Sequence, residues 1–540
     1  MAARTSLLAA GAVALALTVT AAPTGAATAA DGGGLAPRTH FTMKPDGSSG
    51  STQGGEGIPN IDSVKSTIRT YYKATAGIAD KSSSPYITQV RHLLQQQSLY
   101  LRQAKKQARR HHQRPAIVLD ADDTTLWTYD MEDAAMHFDF DPVLQDEWVQ
   151  DQRFPATPGM VGFVNRAKRM GFKIFGLTGR NDGQKTATIK NLHKVGYRAF
   201  NRRTFFTKWT GVGKSQKPAY VRCRTVTCTT VEYKAGTRKH IERLGYRIVL
   251  NVGDQWSDLQ GGHARRALKL PNPTYFLPSP DLDGSPAGPR SSPRSSFTMK
   301  ADGSSGLIQG GEGIPNVDVV KSTIRSYYKA PAGIASKTSS PYIKEMTGLT
   351  AKLRTSLVQA CTQATTAGKN PAVVFDADDT TLWTYDMEDG AMHFDFDPVV
   401  QDQQWVQKQR FPATPGMTAV VNAVDDAGCT VVGLTGRNDT QKAATLGNLA
   451  ARGYTGFTDP LYFTKWVSGS TPGAGRPWMA GTPCADGVCT TIEYKSLTRR
   501  HLVQDLGYDV VANVGDQFSD LLGGSGDRTV KLPNPTYYLP

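Results

Sequence analysis

Two stretches of this 540-residue chain end an apolar run in three carboxylates: IVLDADDTTL from Ile117 to Leu126 and VVFDADDTTL from Val373 to Leu382. Apolar residues followed by D-x-D-x-T suit a parallel strand whose carboxyl end must carry acids into a crevice beyond the sheet. In extended backbone, residues i and i+2 point to the same side. Asp120 with Asp122, and Asp376 with Asp378, can therefore address one substrate atom, one as nucleophile and the other as proton donor.

Further groups follow in the same order in both copies. An apolar stretch from Lys173 to Leu177 ends in Thr178, Gly179 and Arg180, matched by Thr435, Gly436 and Arg437. A glycine-flanked hydroxyl and a guanidinium at a strand's carboxyl end form a natural phosphate cradle, though a plain turn with a surface arginine has the same composition. Lys234 and Lys495 open helices running to Gly245 and Gly507. Finally, Arg247 to Asp258 (RIVLNVGDQWSD) and Asp509 to Asp520 (DVVANVGDQFSD) read as strands that again end in carboxylates: Asp254 and Asp258, Asp516 and Asp520.

The elements that must position these groups are legible around them. Ile61 to Tyr72 and Pro85 to Arg110 carry apolar residues at helical spacing, such as Val90, Leu93, Leu94 and Leu101. A first strand is expected over Ala116 to Leu119, a helix from Gln184 to Val195, and a third strand opening at Gly196 and Tyr197. Strands alternating with helices, all depositing polar groups at one end, predict an α/β fold: two tandem doubly wound, Rossmann-like, three-layer α/β/α domains. Trp127 to Met160, rich in acids and aromatics, suits a small cap inserted after the first strand, and equally an aromatic core of its own. His137 and His393 occupy matching places in it, where a lone histidine is more often structural than a ligand or base.

The expected layout is a leader over residues 1–30, a Gly/Ser-rich segment over 31–58, a first domain over 59–278, a linker with a second Gly/Ser-rich segment over 279–314, and a second domain over 315–540. Arg4, an apolar run from Leu7 to Val19 and small residues through Ala30 have the layout of a secretory signal. The run is shorter than the ~20 residues a membrane span requires, so export without a membrane association after cleavage is expected. The net charge of +15 favours anionic substrates or surfaces. Its densest run, KKQARRHH from Lys105, has no basic counterpart in the second half, where the sequence is ACTQATTAG from Ala360. It reads as the solvated end of a helix, and no nucleic-acid partner is expected. Cys223 with Cys228, and Cys484 with Cys489, read as matched loop-closing disulfides, while half a zinc site at each would lack its second pair. Cys361 and Cys429 have no first-half equivalents, and the sequence leaves their pairing open.

D-x-D-x-T, then Thr-Gly-Arg, then Lys, then Gly-Asp-x-x-Ser-Asp, in duplicate, resembles the haloacid dehalogenase-like (HAD) superfamily. Within it the chain is similar to acid phosphatases of the class B and plant vegetative-storage-protein type. The match is sharpened by GDQWSDL and by KLPNPTYF from Lys269, which recurs as KLPNPTYY from Lys531. The resemblance implies a HAD-type fold and a secreted acid phosphatase acting on small phosphomonoesters through an aspartyl-phosphate. Asp120 and Asp376 would be the nucleophiles, with Asp122 and Asp378 as acid and then base. Thr178 and Thr435 would hold a phosphoryl oxygen that Lys234 and Lys495 neutralise. Mg²⁺ would be held by Asp120, Asp254 and the Asp122 carbonyl, and by Asp376, Asp516 and the Asp378 carbonyl, with Asp258 and Asp520 in support.

Lys239 lies near the position of Lys234, but its counterpart is Arg500, whereas Lys234 has Lys495. Two other functions share this architecture: a phosphotransferase using the same intermediate, and a non-catalytic storage or anion-binding protein. Retention of every one of these carboxylates in both halves favours the enzyme. The two halves are expected to act independently, each with a full set of groups and a linker offering few apolar residues to lock them together.

Overall fold

The computed structural model describes Ile58 and residues 60–277, 316–473 and 475–539; the expected leader, the Gly/Ser segments and the linker lie essentially outside them. In the first half, α1 (Ile61–Tyr72) and α2 (Pro85–Arg110) precede β1 (Arg114–Leu119). Then come α3 (Pro142–Gln150), α4 (Met160–Arg169), β2 (Lys173–Asn181), α5 (Lys185–Lys194), β3 (Phe205–Lys208), α6 (Thr230–Arg243), β4 (Tyr246–Gly253), α7 (Trp256–Leu259) and β5 (Ala267–Lys269).

The second half repeats this with α8 (Val317–Tyr328), α9 (Pro341–Thr366), β6 (Pro371–Phe375), α10 (Met417–Asp426), β7 (Thr430–Asn438), α11 (Lys442–Ala451), β8 (Tyr462–Lys465), α12 (Thr491–Gln504), β9 (Asp509–Gly515), α13 (Phe518–Leu521) and β10 (Thr529–Lys531). Each half forms a five-stranded sheet, in the orders β3-β2-β1-β4-β5 and β8-β7-β6-β9-β10, and its named strand pairs are parallel. β1 and β6 are central and almost wholly buried, so their carboxyl ends open at the middle of the sheet.

Local chemistry sets the helix starts. Asn60 accepts from the amides of Asp62 and Ser63 at the head of α1; Ser84 caps α2 ahead of a proline at its first turn; Thr229 and Glu232 form a capping box on α6. The basic run from Lys105 falls on the last turns of α2 and is largely exposed. The third strand differs from expectation. Gly196 takes φ 104°, which ends α5 in a turn, and the strand forms instead at Phe205–Lys208.

The cap consists of a single wide turn at Met131–Ala135 followed by α3. Its aromatics share a core with the first two helices: Tyr129 stacks on Tyr72 at 4.0 Å and Trp127 on Tyr86 at 5.1 Å. Disulfides join Cys223 to Cys228, Cys484 to Cys489 and Cys361 to Cys429.

The two halves are joined through more than a linker, which corrects the expectation that little holds them together. Asn60 Nδ2 donates to the carbonyls of Asn534 (3.3 Å) and Tyr537 (2.6 Å), and the Ile61 amide to that of Pro535 at 3.0 Å. Reciprocally, Asn316 Nδ2 donates to the carbonyls of Asn272 (3.1 Å) and Tyr275 (2.8 Å), and the Val317 amide to that of Pro273 at 2.9 Å. Lys65 Nζ donates to the Phe394 carbonyl and Lys321 Nζ to that of Phe138. His137 faces Asp395 at 3.5 Å and His393 faces Asp139 at 3.7 Å. These matching histidines thus sit between the halves, half-exposed. The far ends of the same helices stay home: Arg69 pairs with Asp133, and Arg325 with Asp389, each at 2.7 Å.

Candidate active site

The DADD loop begins where β1 ends. The Asp120 amide donates to the Val252 carbonyl of β4, extending the sheet by one bond at 3.1 Å, and Thr125 Oγ1 donates back to the Asp120 carbonyl at 2.9 Å. Three acids then converge: ligand oxygens of Asp120, Asp254 and Asp258 all lie within 4.8 Å of one another, as do those of Asp376, Asp516 and Asp520. All six residues are buried. Gly253 makes this approach possible, because a Cβ there would stand 2.3 Å from the Asp258 Cβ.

One ammonium enters each cluster. Lys234 Nζ lies 2.9 Å from Asp120 Oδ1 and also contacts Asp258; Lys495 Nζ lies 2.6 Å from Asp376 and 2.5 Å from Asp520. Lys234 is buried on the inner face of α6, whereas Lys239 is exposed. Burial alone would lower the Lys234 pKa, but Asp120 and Asp258 outweigh it and raise it. Burial pushes Asp120 and Asp376 well above the usual carboxylate range, and the neighbouring acids add to this against the pull of the lysine. Asp516 is pushed up to about 6 by burial and then by Asp520. Lys269 and Lys531 also act electrostatically on Asp254 and Asp516, so each cluster sets three carboxylates against two lysines, and hard oxygen donors at this spacing fit a divalent metal.

The second carboxylate of the motif is held separately. Arg180 binds Asp122 through Nη2 at 2.6 Å and Nε at 3.1 Å, donates to Thr188 at 3.0 Å and lies over the Phe154 ring at 4.8 Å. Arg437 repeats this on Asp378, Thr445 and Phe411. The guanidinium expected in a phosphate cradle is thus committed to the acid, orienting it. Thr178 and Thr435 are buried, with their hydroxyls accepting the Arg180 and Arg437 amides at 3.2 Å. At Gly179 and Gly436 a Cβ would meet nothing within 4 Å.

The mouth of the second site is a cavity of about 880 Å³ whose walls include Asp376, Asp378, Thr435, Gly436, Arg437, Lys495 and Asp520. It thereby gathers the sequence-predicted groups of that half apart from Asp516, which lies behind Asp376 as a member of the acid cluster.

Several functional residues escaped sequence reasoning. Asp254 is braced by Asn272 Nδ2 (2.8 Å), the Tyr275 hydroxyl (3.0 Å), Gln255 Nε2 (2.9 Å) and Thr124 Oγ1 (3.1 Å); Asn534, Tyr537, Gln517 and Thr380 do the same for Asp516. The duplicated PNPTY string was the available signal. Asp123 and Asp379, the third acids of the motif, adopt left-handed φ of 42° and 47° and fasten the loop by accepting the Thr128 and Thr384 amides. Burial, with Asp254 or Asp516 adding to it, pushes both up to about 8.

A family model described as HAD superfamily, subfamily IIIB (Acid phosphatase), matches residues 65–278, 313–474 and 478–540. The chain is 37% identical over 140 residues to "Stem 28 kDa glycoprotein" of Glycine max, covering 26% of this chain and 50% of that protein. It is 34% identical over 139 residues to "Acid phosphatase 1" of Solanum lycopersicum, covering 26% and 49%. It spans about half the length of these curated relatives. A class C acid phosphatase from Bacillus anthracis, solved with tungstate bound, aligns at 22% identity over 36% of this chain and 70% of that one, with a TM-score of 0.25.

Proposed function

The chain belongs to the HAD superfamily, subfamily IIIB of acid phosphatases, and from that premise we propose that each half is a Mg²⁺-dependent phosphomonoesterase working through an aspartyl-phosphate. The observation that carries this reading is the placement of Lys234 against Asp120 and Asp258, with Arg180 aligning Asp122 beside them, reproduced in the second half by Lys495, Asp376, Asp520, Arg437 and Asp378. Phosphoryl transfer asks a protein mainly for alignment and charge neutralisation.

An oxygen of Asp120 forms a bond to phosphorus as the ester P–O bond breaks, and the leaving oxygen takes the proton of Asp122. The Asp122 carboxylate then accepts a proton from water, whose oxygen attacks phosphorus and releases Asp120 and inorganic phosphate. Lys234 holds Asp120 in position and offsets charge on the phosphoryl oxygens. Thr178 and the open backbone at Gly179 receive one of those oxygens. Asp120, Asp254 and the Asp122 carbonyl, with Asp258 beside them, would hold Mg²⁺, which when bound neutralises the anionic phosphoryl group among these carboxylates. Asp376, Asp378, Thr435, Gly436, Lys495, Asp516 and Asp520 take the same roles in the second half.

The three disulfides support an oxidising, extracytoplasmic location, and none of the described helices is long and apolar enough to cross a membrane. The test is hydrolysis of a panel of phosphomonoesters by the full chain, with phosphate release and alcohol products followed with and without an added acceptor alcohol. Stoichiometric phosphate is expected. Transfer of the phosphoryl group to the acceptor as the main outcome would make the enzyme a phosphotransferase, and no turnover would overturn the reading.

A further inference from the structure

Asp62 belongs to the first half, yet it lines the second half's cavity together with Asp376, Asp378, Glu388, Phe394, Phe396 and Trp466. It arrives there because Asn60 and Ile61 fasten the head of α1 to the Asn534–Tyr537 turn, and the Asp62 carboxylate itself accepts the Tyr538 amide at 3.2 Å. The arrangement is reciprocal. Asp318, at the head of α8 in the second half, accepts the Phe276 amide of the first half at 3.0 Å, with Asn316 fastened to Asn272 and Tyr275. Asp62 is close enough to interact electrostatically with Glu388, and Asp318 with Glu132, so each pair spans the two halves, the first of them at the cavity of the second site.

We propose that neither pocket is complete within its own half: Asp62 is a specificity-determining residue of the Asp376 site, and Asp318 of the Asp120 site. This rests on the phosphatase reading above. The phosphate end of the pocket is fixed by the lysine and the carboxylate cluster, so Asp62 meets the other end of the substrate, the alcohol that leaves. A carboxylate offers more acceptor positions than one amide uses. Glu388 interacts with Asp62, and Phe394, Phe396 and Trp466 line the same cavity, so that wall receives alcohols that carry an ammonium group or several hydroxyls. Alcohols bearing a second phosphate or a carboxylate are received less well, with Lys65 offsetting part of the Asp62 charge.

The duplication is thus a fused pair in which each member supplies part of the other's wall.

The experiment uses the full chain with one nucleophile silenced at a time. In an Asp120→Asn background only the second site turns over, and kcat/KM is measured for phosphoethanolamine, whose leaving alcohol is cationic, and for 3-phosphoglycerate, whose leaving alcohol is anionic. Asp62→Asn keeps an oxygen to accept the Tyr538 amide while removing the charge. We expect it to reduce the preference for phosphoethanolamine by about fivefold or more, mainly through KM, and by much more than Asp318→Asn does. In an Asp376→Asn background the order of the two variants reverses. Asp62→Ala, which also loses the amide contact, is expected to shift selectivity in the same direction as Asp62→Asn. Equal effects of the two asparagine variants in both backgrounds, or an unaltered preference in each, would overturn the crossed assignment while leaving the phosphatase reading standing. No hydrolysis by the unmodified chain would overturn both.

Discussion

Asn316 caps α8 in the second half and donates from Nδ2 to the backbone carbonyl of Asn272 in the first, 3.1 Å away, while Asn272 Nδ2 holds Asp254 at 2.8 Å. One asparagine therefore does two tasks, starting a helix and steadying the turn that braces the other half's acid cluster. Asn316→Ala is expected to cost about 0.5–2 kcal/mol as a lost cap, and in addition to weaken divalent-metal affinity at the Asp120 site more than at the Asp376 site. Asn60→Ala should show the mirror pattern. Calorimetric melting together with metal titration of each variant, read in the matching single-nucleophile background, checks both parts. Equal weakening at both sites would mean that the bridge does not transmit to the acids.

Crossed walls do not imply crossed nucleophiles. Asp120 is neutralised by Lys234 and Asp376 by Lys495, each from its own half. Asp120→Asn and Asp376→Asn are each expected to retain a substantial share of turnover, and the double variant almost none. Initial rates on one good ester decide this. Complete loss in either single variant would mean one composite site or one copy already inactive.

The sheet and most of the site are legible in the sequence because a doubly wound fold writes its chemistry as strand ends: IVLD, KIFGLTGR and VLNVGD each announce an apolar strand and the polar group it delivers. β3 is harder to read, since four residues give no periodicity to find and Gly196 serves equally well as a helix stop. Asp123 was visible as a third acid, but its left-handed backbone and its bonds to Thr128 depend on the loop closing in space. The exchange at Asp62 and Asp318 could not be read at all. Both halves carry the same Asn-x-Asp helix head and the same PNPTY turn, so docking within a half and docking across halves look chemically identical in sequence.

Glu132 and Glu388 are buried in the two caps, and burial foremost, then Asp123 or Asp379, pushes both well above the ordinary 4.5. An acid raised in this way keeps its proton in the folded state at a pH where the unfolded chain has released it. The folded state then binds more protons, and stability falls as pH rises through that window. Melting temperature in chelator is expected to drop as pH rises above about 5, and Glu132→Gln with Glu388→Gln should flatten the slope. A slope unchanged by both substitutions would remove these groups as its source.

Each acid cluster gathers three carboxylates into one small space, with one lysine in contact and a second, Lys269 or Lys531, acting on it electrostatically. Stripping divalent metal with excess chelator is therefore expected to abolish hydrolysis, and Mg²⁺ to restore it. Full activity in chelator would sink the metal assignment. The same titration should raise the melting temperature as metal is added, because an ion bound only by the folded state stabilises it.

The last prediction concerns an asymmetry between the halves. Cys361 on α9 is bonded to Cys429, just before β7, closing a loop with a sequence separation of 68. The corresponding helix of the first half carries Lys105 where Cys361 stands in the second, and Phe172 precedes β2 where Cys429 precedes β7. A cross-link over a loop of that length removes unfolded-state entropy worth about 4 kcal/mol in the chain-entropy account. The short bridges at Cys223–Cys228 and Cys484–Cys489 occur in both halves and cancel in the comparison. Cys361→Ala with Cys429→Ala is therefore expected to lower the thermal resistance of the Asp376 site, read as residual activity after heating in the Asp120→Asn background. The Asp120 site, read in the Asp376→Asn background, should fall less, losing only what the bridging helices α1 and α8 transmit. If both sites lose resistance equally, the halves unfold as one cooperative unit, and the contacts of Asn60 and Asn316 couple them more strongly than the disulfide separates them.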